Sequence, residues 1–183
     1  CLKKDRFQDV VWIGTDGQGV YLYSNPLYSI KSMVLSNYTE KIERPVRAIY
    51  LDDERTFWVG TKGNGILKIY DYEFDKNISD CRAEVLTTSN SALSSNAVYC
   101  FAKSHRNLLW IGDEEGLTYY SYREKRIKSI PIRIGNEDFK YIHGIYETAD
   151  SELWLASVGM GVVKARIAGT PDNPVIVDAQ RYI

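Results

Sequence analysis

An all-β fold, a β-propeller segment of about four blades, is predicted by three features of this 183-residue chain. Tryptophan recurs at Trp12, Trp58, Trp110 and Trp154, with gaps of 46, 52 and 44 residues. Each copy sits in a similar block: V-W-I-G-T-D-G-Q-G-V-Y-L-Y, F-W-V-G-T-K-G-N-G-I-L-K-I-Y, L-W-I-G-D-E-E-G-L-T-Y-Y and L-W-L-A-S-V-G-M-G-V-V-K-A. Composition agrees, because 14 Tyr and 4 Trp against 2 Met suit pleated, half-buried surfaces. A repeat of 44–52 residues is the size of one four-stranded blade.

The elements of each unit follow in order. Short apolar runs at 46–51, 98–102 and 142–146 have the length and β-branched content of buried strands. Within them a branched residue lies twelve before the tryptophan (Val46, Val98, Ile142), and a small one ten before (Ala48, Cys100, Gly144). A large one lies nine before (Ile49, Phe101, Ile145). The small residue fits a crowded innermost strand near the axis. The second strand carries the tryptophan and ends at Gly14, Gly60, Gly112 or Ala156. A tight loop follows, such as Asp16-Gly17-Gln18 or Lys62-Gly63-Asn64, rich in residues that tolerate positive φ. Third strands are expected at 20–23, 66–70, 117–120 and 162–165, and weaker fourth strands at 29–35, 83–87, 127–130 and 174–179. The whole chain, 1–183, reads as one propeller segment. Its blades span 1–43, 44–92, 93–137 and 138–183, the first partial because no inner strand is evident before its tryptophan.

Charge and composition exclude several function classes. With 23 Lys+Arg against 24 Asp+Glu, the net charge of −1 exerts no bulk pull on nucleic acid or anionic lipid. No run approaches 18 apolar residues and no signal-peptide pattern opens the chain, so no membrane contact is expected. Hydrophobics at 44% and charged residues at 26% describe a globular chain. Three cysteines without C-x-x-C spacing and two histidines make no metal set, and no cofactor is expected. Cys100 fills a slot held elsewhere by Ala48 and Gly144 and is expected buried, and Cys81 falls in a connection. Cys1 reads as a boundary within a larger protein ahead of the alternative, a lipoprotein-type N-terminus left after signal cleavage.

Catalytic signals are sparse. Asp52-Asp53-Glu54, Asp113-Glu114-Glu115 and Glu147 offer acids, yet the first two sets fall in turns, where acids are usually solvated. Neither an S-x-D-x-G-x-x-W box, a G-x-S-x-G elbow nor a P-loop is present. Gly14-Thr15-Asp16-Gly17-Gln18-Gly19 opens a strand and reads as a hairpin, and His105 reads as an exposed turn residue. No catalytic residue is assigned, and an enzyme ranks last among the readings.

Binding has a better candidate. The slot eleven before the tryptophan varies between blades, as Arg47, Tyr99 and His143, at the end of the innermost strand nearest the axial mouth. Loops leading into the blades add Arg44, Asn96, Lys140 and Tyr141, and second-to-third-strand loops add Lys62 and Asn64 on the same face. Cations beside tyrosine planes suit an acidic or sulfated sugar, holding its anion and covering its apolar ring face. The bland alternative is a water-lined channel.

The blocks around Trp12 and Trp110, with the lead-in S-N-S-A-L-S-S-N-A-V-Y at 89–99, resemble the two-component regulator propeller repeat. That resemblance spans nearly the whole chain. It implies a seven-bladed propeller of which this is a fragment, in the periplasmic sensor of a hybrid histidine kinase of Bacteroidetes. Such sensors pass a ligand signal, often an oligosaccharide from dietary or host glycans, to kinase and receiver domains. The implied partners are an oligosaccharide, the remaining blades and domains, and a second copy in a homodimer. A propeller scaffold that binds no small molecule is the alternative, and a polysaccharide-active enzyme the third.

Overall fold

The computed structural model describes residues 1–24, 31–33, 44–72 and 81–182, with the backbone alone at 31–33. The first sheet comprises β1 (Leu2–Lys4), β2 (Val10–Gly14), β3 (Val20–Ser24) and β4 (Lys31–Met33). The second has β5 (Val46–Leu51), β6 (Phe57–Thr61), β7 (Ile66–Ile69) and β8 (Ala83–Leu86). The third has β9 (Val98–Lys103), β10 (Leu108–Asp113), β11 (Leu117–Ser121) and β12 (Arg126–Ile130). A small hairpin, β13 (Arg133–Ile134) and β14 (Glu137–Asp138), precedes the fourth sheet. That sheet is β15 (Ile142–Glu147), β16 (Glu152–Ser157), β17 (Gly161–Thr170) and β18 (Asn173–Tyr182). Each four-stranded sheet is an antiparallel meander in sequence order.

Two elements depart from the sequence reading. The first blade has an inner strand, since β1 pairs with β2 through Leu2↔Ile13 and Lys3↔Trp12. Its link to β2 is one residue longer than that between β5 and β6, which moves β1 out of the common spacing from the tryptophan. In the last blade β17 and β18 each reach ten residues, their pairing running on to Thr170↔Asn173 past an irregularity at Arg166/Ile167. Of the expected strand at 29–35, positions 29–30 and 34–35 lie outside the described residues.

First strands β1, β5, β9 and β15 lie against one another in chain order, so the four sheets fan around a common axis. Three apolar clusters fill the joints. Trp12, Val20 and Leu22 pack on Phe57, Val59, Leu67 and Ile69; Trp58 and Ile66 on Leu109, Ile111 and Tyr120; Trp110, Leu117 and Tyr119 on Leu153, Leu155 and Val163. The tryptophan is thus the main wedge between one blade and the next, as in the 4.3 Å contact of Trp12 with Phe57. Small residues set the spacing. A Cβ at Gly112 would stand 2.5 Å from Ile142 O, so the fourth blade approaches the third only because that side chain is absent.

Candidate functional site

The variable slot of the inner strands owes its geometry to a repeated irregularity. In β5 and β15 the register shifts between Val46 and Ala48 and between Ile142 and Gly144, and in the β9–β10 pair it shifts at Gly112/Asp113. Arg47, Tyr99 and His143 are the extra residues, freed from ladder pairing at the same end of three successive inner strands. A bulge of this kind re-aims a side chain, which is why these positions vary while their neighbours keep packing residues.

The three side chains form one cluster. The rings of Tyr99 and His143 stack with centroids 4.0 Å apart and planes 17° apart. Arg47 Nη2 lies 3.6 Å from Asp16 Oδ1 in the first blade's β2–β3 loop. Its Nε is buried and donates to no acceptor among the described residues. Burial, and then the Arg47 charge, hold the His143 imidazole below its usual pKa. The Tyr99 phenol is pushed up, first by burial and then by Glu114 and Tyr141, with Arg47 opposing. Arg47 therefore bears electrostatically on both rings, and near neutral pH the cluster presents a guanidinium beside an uncharged aromatic plane.

Other expected site residues divide. Tyr141, 43% exposed at φ 55°, donates its N–H to Glu114 O at 3.0 Å and stays at the rim of the cluster. Lys140 is neutralised, its Nζ bonded to Glu115 Oε2 at 2.5 Å, which raises the amine's pKa. Arg44 lies over Gly63 and donates its backbone N–H to Asn64 Oδ1. Lys62 is exposed beside it, its backbone N–H bonded to Pro45 O. Asn96 is structural, because its carbonyl accepts from Gly63 and Gly65 N–H and its Oδ1 from Thr88 N–H. Asp16 and Glu114 were missed by sequence reasoning, and the signal available was their place in the same loops that supplied Lys62 and Asn64.

The acids need a correction. Asp52 and Asp113 are buried in their turns instead of solvated. Asp52 Oδ1 accepts from Glu54 N and Thr56 N, and its Oδ2 from Trp58 Nε1 at 2.9 Å. Asp5 does the same for Trp12, and Glu147, from the following blade, accepts from Trp110 Nε1 at 2.6 Å. Asp113 binds Ser94 Oγ and the N–H groups of Glu115 and Gly116, while burial raises its pKa. These carboxylates satisfy buried indole and turn donors, a structural use of acid chemistry. Asp53, Glu54 and Glu115 are exposed as expected, and Asp53 pairs with Arg6 and Lys103. The Thr15 and Thr61 hydroxyls close their hairpins by donating to Gly19 O and Gly65 O. His105 is exposed and Cys100 half-buried, its thiol pushed up to about 12 by burial. Among the described residues no group of three His, Cys, Asp or Glu could hold a metal ion.

No protein-family model matches the chain. Solved structures do. The extracellular domain of a protein described as a hybrid two component system, from B. thetaiotaomicron, superposes over all of this chain at a TM-score of 0.70 and 22% identity. A second such domain from that organism covers 99% at 0.62 and 15%. The virginiamycin B lyase of Staphylococcus aureus covers 100% at 0.67 and 16%. The chain is an open β-propeller arc. This propeller arc spans 22%, 30% and 55% of those three chains. Among curated proteins, translation initiation factor 6 of Saccharolobus solfataricus is 31% identical over 140 residues, 69% of this chain and 57% of that protein. No helix of the described residues is long and apolar enough to cross a membrane.

Proposed function

We propose that this propeller arc is a ligand-binding module in the periplasmic sensor of a hybrid two-component signalling protein, and that it performs no reaction itself. The observation that carries the reading is the row of three inner-strand bulges, which bring Arg47, Tyr99 and His143 together with a buried Arg47 N–H that has no acceptor among the described residues. An anionic sugar completes this set: carboxylate or sulfate meets the guanidinium and a ring face covers the Tyr99–His143 stack. Tyr141, Arg44 and Lys62 extend the rim, with Lys140 available only if it leaves Glu115. The repeat blocks around Trp12 and Trp110, and the two extracellular domains of similar fold, support the sensor assignment. Ligand would act by shifting the placement of propellers in a dimer, a rigid-body change that biases a distant kinase.

A thermal-shift panel of plant and host oligosaccharides, uronate-bearing and sulfated ones included, tests the reading, with Arg47→Ala as control. A ligand at 100 times its dissociation constant stabilises by about 2.7 kcal/mol. A shift that Arg47→Ala abolishes supports the site, and a melt that no sugar moves favours the scaffold. The scaffold draws its own support from the neutralised Lys140 and the Arg47–Asp16 pair.

A further inference from the structure

The joint between the second and third blades holds a buried amine. Lys68, on β7, is 4% exposed. Its ammonium sits among three rings, 4.8 Å from Trp58, 4.5 Å from Tyr70 and 4.3 Å from Tyr120. It donates to Tyr120 Oη at 2.8 Å and lies 3.5 Å from Glu84 Oε1, which also accepts from Tyr70 Oη at 2.5 Å. Packing does not require a lysine here. The first and third blades hold Leu22 and Tyr119 at the matching place opposite the tryptophan, both buried, while the fourth repeats the lysine as Lys164.

Lys68, Tyr70, Glu84 and Tyr120 all line one open cleft of about 410 Å³, a volume that suits a small molecule. Glu54 and Thr56, from the β5–β6 turn, also line it, which puts it at the end of the blades away from Arg47. The geometry points to Lys68 as a site where a small hydroxyaldehyde is held as an imine. Burial, against the opposing charges of Glu84, Asp52 and Glu54, holds the amine below the usual lysine range, as suits a nucleophilic lysine. Tyr120 accepts from Lys68, so its own hydrogen is free to donate, and burial pushes its pKa up to about 12, which keeps it protonated.

The Lys68 ammonium first yields a proton to water. Its lone pair forms the C–N bond, the carbonyl oxygen takes the Tyr120 proton, and the nitrogen returns one to the phenolate. The carbinolamine C–O bond then breaks, the oxygen leaving as water with a second Tyr120 proton while the nitrogen pair closes the C=N bond. Solvent reprotonates Tyr120. Net, ammonium and aldehyde give iminium and water, with nothing oxidised or reduced. The iminium is a cation in the place of the ammonium, so the same rings and Glu84 hold it. Glu54 and Arg82, on the cleft walls, offer partners for the hydroxyls.

Glyceraldehyde with cyanoborohydride, which delivers hydride to an imine and fixes it, tests this on the full chain, with peptide mass spectrometry reading each lysine. In the folded chain Lys68 should take label faster than the exposed Lys4 and Lys62, and in urea it should lose that lead. Tyr120→Phe keeps the ring, and retained sheet is checked by circular dichroism. It should slow Lys68 roughly 100-fold, the lower end of what a placed proton donor supplies, and leave Lys4 and Lys62 unchanged. Lys68 labelled no faster than Lys4 and Lys62 in the folded chain, or a Lys68 rate that Tyr120→Phe leaves untouched, overturns the inference.

Discussion

Asp52 is the most informative single perturbation of this fold. Its carboxylate, 1% exposed, holds two turn N–H groups and the Trp58 indole at 2.8–2.9 Å. Asp52→Ala strands all three donors, and the indole and the Thr56 N–H are buried where water does not replace the acceptor. Each buried donor left unsatisfied costs about 1–3 kcal/mol, so a loss of about 3 kcal/mol is expected. For a chain of this length that is a Tm fall of about 6–12 °C. Asp52→Asn keeps an acceptor for the turn but sets an amide donor against the indole N–H, and should fall between. Asp53→Ala, next in sequence but exposed and ion-paired with Arg6 and Lys103, should cost about 0–1 kcal/mol. Urea melts of the three variants give the comparison. An Asp52→Ala loss no larger than that of Asp53→Ala would refute the claim that the buried acids hold the blades.

Other outcomes follow from the same geometry. Gly112→Ala should destabilise by about 1–3 kcal/mol in the same melts, since its Cβ meets Ile142 O at 2.5 Å and Cys100 Sγ at 2.6 Å. Arg47→Ala should move the His143 pKa up toward 6.5, read from the imidazole proton shifts in an NMR titration. Because the folded His143 pKa is depressed, the unfolded chain takes up this proton first as pH falls. Its effect is absent above pH 6.5 and becomes a small stability loss as pH drops below it, and His143→Phe should flatten that part of the pH–stability curve. Cys100, with its thiol pushed to about 12, should resist a thiol reagent at pH 8 that labels exposed Cys1, and should react once the chain is unfolded.

The tryptophan period made most of the architecture legible, because the residue that wedges each joint is also the one that marks each repeat. Strand β5 was read to the residue, and β9 and β15 to within one at the C-terminal end. β1 was not legible, since Leu2-Lys3-Lys4 has no β-branched run and its longer turn breaks the spacing. The acid–indole bonds were hidden for a related reason. Asp5 and Asp52 precede their own tryptophans, but the matching place before Trp110 is Ser104, and the carboxylate comes from Glu147 in the next blade. At the candidate site, the residues on the inner strands came together because the repeat fixes their slot. The ion pair of Lys140 with Glu115 was not legible, because Glu115 lies in a different blade, a proximity no local pattern reveals.

The central claim is that the inner-strand cluster binds an anionic sugar. It is tested most directly by NMR of the His143 imidazole and Tyr99 ring during titration with a uronate-bearing or sulfated oligosaccharide. The account predicts that both rings shift together and saturate at one dissociation constant, and that Arg47→Ala removes the response. Saturable binding that leaves both rings unmoved, or a response that survives Arg47→Ala unchanged, would contradict it.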